Sequence, residues 1–103
     1  MKHIDLKNSQ INLRNKFLKS GVKMIGPETI FFSSDTQIGK NVTIEPYVVF
    51  GPKVKIWNNV NIKSFSHLEN CKVESKVHVG PYARIRDGVE IKENSKIGNF
   101  VEI

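Results

Sequence analysis

Arg86, Cys71, three histidines and a scatter of glutamates are the side chains of this chain that could do chemistry. Three histidines can hold a metal ion when they converge. Here His67 and His78 stand eleven positions apart, His3 lies far upstream, and no carboxylate-rich cluster accompanies them. They read as surface histidines. Acid/base catalysis needs carboxyl groups paired across one reacting atom. Glu45, Glu69, Glu74, Glu90, Glu93 and Glu102 are scattered, and no pair can be argued from their spacing. Neither G-x-x-x-x-G-K-S/T nor G-x-G-x-x-G occurs, so no phosphate-cradling loop is expected. Cys71 falls in an irregular turn, Glu69 to Lys72. Lys72 could lower its pKa, although a bystander thiol is the simpler reading. Arg86 carries a fork of donors that suits a phosphate; taken alone, it is a surface cation at a corner.

Composition bounds the protein that must position these groups. A length of 103 residues supports one domain, near the size at which a compact core becomes marginal. A repeat architecture relaxes that limit, because each repeat buries its face only against its neighbours. The lone Cys71 excludes an internal disulfide and fits a reducing cytoplasm. Met1, Lys2 and His3 lead into mixed polar sequence, so no signal peptide is expected, and no stretch is long enough to span a membrane. The formal charge of +6 would favour anionic partners. Its Lys and Arg residues are interleaved with Glu, which reads as a solvated surface with no nucleic-acid patch and no membrane partner.

The elements themselves follow from a period of six. Ile38, Ile44, Phe50, Ile56, Ile62 and Leu68 are followed, after one step of five, by Val73, Val79, Ile85, Ile91, Ile97 and Ile103. Four residues into nearly every hexad sits a small residue: Val42, Val48, Val54, Val60, Ser66, Val77, Ala83, Val89, Ser95 and Val101. No helix or ordinary strand has this period. A flat side of about four residues and a turn of two repeat three times to close a triangular coil of 18. The aliphatic residue points inward, and coils stack about 4.8 Å apart with parallel pairing. Gly39, Gly51, Gly80 and Gly98 follow inward residues, while Asn41, Asn59, Gly88 and Asn94 share a slot suited to left-handed backbone. Twelve hexad positions predict about four coils of an all-β, left-handed parallel β-helix of hexapeptide repeats.

Residues 1–20 lack this period. Ile4, Ile11 and Leu18 are seven apart, with Phe17 beside Leu18, which predicts a short α-helix at about residues 10–19 closed by Gly21. Residues 1–31 therefore read as a helix and lead-in and 32–103 as the β-helix, with Phe32 and Thr36 already in register with the first hexad. Tyr47, Phe65, Tyr82 and Phe100 each stand three positions after an inward residue. They should stack on one side, either as a packing ladder that shields hydrogen bonds or as an oligomer interface. Trp57 should point outward, toward a partner or the helix.

Two segments go beyond generic hexads. One is Val79-Gly80-Pro81-Tyr82-Ala83-Arg84-Ile85-Arg86-Asp87-Gly88, and the other runs from Lys96 through Asn99, Phe100, Val101 and Glu102 to Ile103. Together with the five-residue step and the lead-in Gly21–Thr29, they resemble the C-terminal domain of a bacterial bifunctional family. That family combines N-acetylglucosamine-1-phosphate uridylyltransferase and glucosamine-1-phosphate N-acetyltransferase activities to make UDP-N-acetylglucosamine. The resemblance covers about residues 10–103. It implies that Arg86, the second arginine of the A-R-x-R motif, binds the phosphate of glucosamine 1-phosphate. Asp87 replaces the family's usual proline and puts a negative charge beside that site.

The resemblance also implies what to expect of activity. The family's lysine after the N-F-V-E-hydrophobe segment, which also contacts the phosphate, its general-base histidine and its acetyl-CoA contacts would follow Ile103, and its uridylyltransferase domain would precede residue 1. The chain is therefore expected to be a truncated or split relative, not competent for acetyl transfer alone. It would contain no catalytic residue, metal ligand or cofactor site, although the full-length family uses acetyl-CoA, UTP and a divalent metal such as Mg. It is expected in the cytoplasm and, because the family is trimeric, as a homo-oligomer. A self-associating scaffold β-helix, or one half of an enzyme completed in trans, are the alternatives.

Overall fold

The computed structural model describes residues 3–103, and side chains from residue 8 onward. The His3 and Ile4 side chains lie outside the described residues. Between Lys23 and Glu102 the chain winds as a left-handed parallel β-helix with three flat faces, as hexapeptide repeats dictate. The first face stacks Lys23–Met24, Thr43–Ile44, Asn61–Ile62, His78–Val79 and Lys96–Ile97. The second stacks Val49–Phe50, His67–Leu68 and Arg84–Ile85, extended at its two ends by single bridges from Phe31 to Val49 and from Arg84 to Glu102. The third stacks Gln37–Ile38, Val54–Ile56, Cys71–Val73 and Val89–Ile91. Every pairing is parallel.

Register follows the hexads. Ile38 pairs with Ile56, Ile56 with Val73, and Val73 with Ile91. The middle interval is one residue shorter because the five-residue step removes a residue from the turn at Glu69–Asn70. Inward residues from Ile44 to Ile91 are fully or nearly fully buried, as are the small residues from Val42 to Ala83. Each buried Val, Leu or Ile contributes about 1.5–3 kcal/mol. The core is thus a set of aliphatic columns along the prism axis, and no described buried side-chain polar atom lacks a partner.

A helix, α1, spans His3–Lys19, so it begins earlier than the spacing of its apolar residues predicts. It ends as expected, with Gly21 at φ 99° and the Val22 N–H donating to the Phe17 carbonyl at 3.0 Å. Only part of that apolar set packs on the coils. Ile11 and Leu18 are 42% and 43% exposed, whereas Gln10 and Phe17 are buried and Leu13 packs on the core.

The reason lies in the coil beneath. Phe32 sits at the head of the second face with no earlier coil to pair with it. The Gln10 side chain fills that role: its Nε2 donates to the Phe32 carbonyl at 2.8 Å, and its Oε1 accepts from the Phe32 N–H at 2.9 Å. Arg14 Nε similarly donates to the Ile30 carbonyl at 2.9 Å. Phe17 then covers Phe32, ring centroids 4.7 Å apart, and Phe32 stacks on Phe50 at 5.2 Å. Polar side chains at buried helix positions thus imitate a missing coil, and an apolar periodicity cannot reveal them. Trp57 does point outward, half-buried beneath Lys55, whose Nζ lies 4.5 Å from the ring centroid. The helix packs instead on Ile30–Phe32.

Candidate anion-binding site

The second face ends in a cluster of charge. The Arg84 N–H donates to the Val101 carbonyl at 2.8 Å and the Ile103 N–H to the Arg84 carbonyl at 2.8 Å, while the Arg86 N–H reaches the Ile103 carbonyl at 3.2 Å. The backbone is therefore paired and extended from Arg84 through Arg86. Side chains alternate along such a segment, so Ile85 points inward and both arginines point out. Asp87 and Gly88, at φ 62° and 77°, then turn the chain away.

Arg86 Nη2 donates to Glu102 Oε2 at 2.6 Å, and its Nε lies 3.9 Å from Asp87 Oδ2. The Arg86 side chain is 39% exposed, so the remaining edge of its fork faces solvent. An exposed ion pair of this kind is worth about 0–1 kcal/mol to stability. Its chemical consequence is larger: Glu102 orients the guanidinium and leaves other N–H groups free to bind an oxyanion. The pairing was not legible in the hexads, because the two residues are 16 positions apart and join only when one coil stacks on the next.

The other side chains disperse. His67 lies on the second face beside Arg84, whereas His78 lies on the first face, its Nδ1 3.4 Å from Asn61 Nδ2. No three described His, Cys, Asp or Glu side chains are placed to hold a metal ion. Several glutamates tie coil to coil: Glu45 accepts from the Ser64 N–H at 3.1 Å, and Glu74 from the Glu93 N–H at 3.2 Å. Lys92 bonds both Glu90 and Glu74 and is held above the ordinary lysine pKa by those contacts.

Cys71 is not the turn thiol that its neighbourhood suggested. It pairs with Val54 on one side and Val89 on the other, so it occupies the inward small-residue slot of the shortened coil. Burial, and then the Glu69 charge, push its pKa up to about 11, opposite to any lowering by Lys72. The groove outside it, about 150 Å³ and lined by Lys53, Asn70, Lys72, Gly88 and Glu90, is floored by an inert thiol.

The four aromatics form one column, with ring centroids 5.2, 5.0 and 4.9 Å apart and planes within 17° of parallel. Each adopts left-handed backbone, φ 56–62°. So do Lys53 and Lys76, besides the expected Asn41, Asn59, Asn94 and Gly88. The turn geometry is imposed at the corners whatever the residue, at about 1–2 kcal/mol per non-glycine residue. The aromatic column offsets that cost by stacking, and its rings stay about half exposed or more.

No described helix is long and apolar enough to cross a membrane.

Comparison with known proteins adds lineage. A family model described as bacterial transferase hexapeptide (six repeats) matches residues 35–70 and 70–103. The chain is 53% identical over 90 residues to the bifunctional protein GlmU of Zymomonas mobilis subsp. mobilis, an alignment covering 87% of this chain and 20% of that protein. With the bifunctional protein GlmU of Wolbachia pipientis wMel, identity is 52% over 94 residues, 91% of this chain and 22% of the other. The chain thus spans about a fifth of the length of these curated relatives. Among solved structures, it is similar to the acetyltransferase domain of PglB from Neisseria gonorrhoeae FA1090, determined in complex with acetyl coenzyme A. The TM-score is 0.54 at 15% identity, over 91% of this chain and 52% of that one, a likeness of fold.

Proposed function

This chain belongs to the bacterial transferase hexapeptide family, and on that premise we propose that it supplies coils of an acetyltransferase domain in which Arg86 binds the phosphate of glucosamine 1-phosphate. The observation that carries the reading is the placement of Arg86: a solvent-facing guanidinium at the end of the second face, held from one side by Glu102 at 2.6 Å. Its open N–H groups donate to the phosphate oxygens, and the fixed fork gives the contact direction as well as charge.

The role of these residues is binding, not proton transfer. The two carboxylates within 4 Å of the Arg86 side chain, Glu102 and Asp87, are both engaged with it, so neither serves as a base for the sugar amine. The protein works in the cytoplasm, where Cys71 stays reduced, and as a homotrimer; the exposed aromatic column supports association. That column also favours the second reading, a self-associating scaffold that binds no small molecule, and a separate polypeptide completing the site in trans is a variant of the first.

Calorimetric titration with glucosamine 1-phosphate, with glucosamine as the phosphate-free control, tests the reading alongside an acetyl-transfer assay with acetyl-CoA. Phosphate-dependent binding that disappears in Arg86→Ala is the expected result. Absence of binding would favour the scaffold, and robust turnover by these 103 residues alone would contradict a purely binding role.

A further inference from the structure

Arg84 shares its side of the second face with Arg86 and has no role in the reading above. We infer that Arg84 is a further phosphate-binding cation of that site, beside Arg86; the inference rests on the assignment of Arg86. Charge is the first argument. The Arg86 guanidinium already pairs with Glu102 and stands 3.9 Å from Asp87, and Glu69 occupies the adjoining position in the preceding coil. One cation among three carboxylates is a poor host for a phosphate dianion.

Register supplies the second argument. The chain stays extended and paired from Arg84 to Arg86, so residues two apart emerge on one side with their Cα atoms about 7 Å apart. Two arginine side chains at that spacing can close on a single phosphate from two directions. Glu102 lies directly opposite Arg84 across the ladder, yet its carboxylate is bonded to Arg86. Arg84 is exposed and makes no ion pair among the described residues, which leaves it an uncompensated cation beside Arg86. His67, its neighbour in the preceding coil, adds positive charge when protonated and never negative charge. Arg84 thus supplies the attraction that Arg86 has spent on Glu102.

The test titrates glucosamine 1-phosphate into wild type, Arg84→Ala, Arg84→Lys and Arg86→Ala at several salt concentrations, with a thermal melt of each. Loss of a charged hydrogen-bond donor corresponds to about a tenfold weakening. Arg84→Ala should show that weakening and a shallower salt dependence at an unchanged melting temperature, and Arg84→Lys should keep the salt dependence. A merely structural residue would shift the melt and leave the salt dependence alone. Wild-type binding by Arg84→Ala, with binding lost in Arg86→Ala, overturns the inference and leaves the Arg86 reading standing. Undiminished binding in all variants overturns both.

Discussion

Gln10 and Phe32, 22 positions apart, exchange two hydrogen bonds, so a helix side chain stands where a neighbouring strand would otherwise be. An amide is suited to this because it offers one donor and one acceptor, as a peptide unit does. Gln10→Ala should leave the Phe32 N–H and C=O unpaired in a buried setting and cost about 1–3 kcal/mol. Gln10→Leu, although more apolar, should not restore the loss. Chemical denaturation, together with hydrogen exchange at the Phe32 amide, checks both.

Close coil stacking makes a second prediction. A Cβ at Gly51 would lie 2.8 Å from Glu69 Cβ, whereas one at Gly98 would meet nothing within 4 Å. Neither glycine has positive φ, so the contrast is steric alone. Gly51→Ala should destabilise by about 1–3 kcal/mol as an overpacked site, and Gly98→Ala should be near neutral. Urea midpoints of the two variants measure the difference.

The Cys71 thiol carries a pH signature. Its pKa is raised from 9.0 to about 11 by burial and the Glu69 charge, so folding favours the protonated form. That contribution is fully present below pH 9 and is lost as pH rises through about 11. Wild type should therefore lose stability across that interval more steeply than Cys71→Val, which matches the Val54 and Val89 rungs on either side. At pH 8 the thiol should react with a disulfide reagent only after denaturant is added, and rapid reaction in the folded state would contradict the burial.

Phe65 stacks on Tyr47 above and on Tyr82 below, so its removal interrupts the column twice. Phe65→Ala should cost about 1–3 kcal/mol from two lost aromatic contacts, while Phe100→Ala, at the end of the described column, should cost less. If the column is also the surface on which copies meet, both substitutions should lower the apparent mass in sedimentation. A change in stability with no change in mass would confine the column to packing.

What the sequence disclosed depended on whether one position answered to one physical demand. Each flat side admits one inward aliphatic, so Ile44, Ile56 and Ile85 announce the core and the step from Leu68 to Val73 announces the short coil. Corner residues answer to two demands, direction and backbone hand. Spacing aligned Tyr47, Phe65, Tyr82 and Phe100 correctly but was silent on their left-handed φ, which Asn and Gly advertise. Cys71 was misplaced because the step of five moved the small-residue slot into what looked like a turn. The packing face of the helix was only partly visible for a related reason: Gln10 is buried for its hydrogen bonds, and a search for apolar residues passes over it. At the candidate site, Arg86 was singled out by its motif alone, whereas its bond to Glu102 exists only through coil stacking.

Arg86, on this reading, centres an oxyanion site at the end of the second face. Amide NMR of the 15N-labelled chain during titration with glucosamine 1-phosphate tests it most directly, because every residue reports at once. The expected result is saturable shifts concentrated at Arg84, Arg86, Asp87, Glu102 and Ile103, abolished by Arg86→Ala. Saturable shifts clustered elsewhere, for example at Lys53, Lys72 and Glu90 around the Cys71 groove, or none at all, would contradict it.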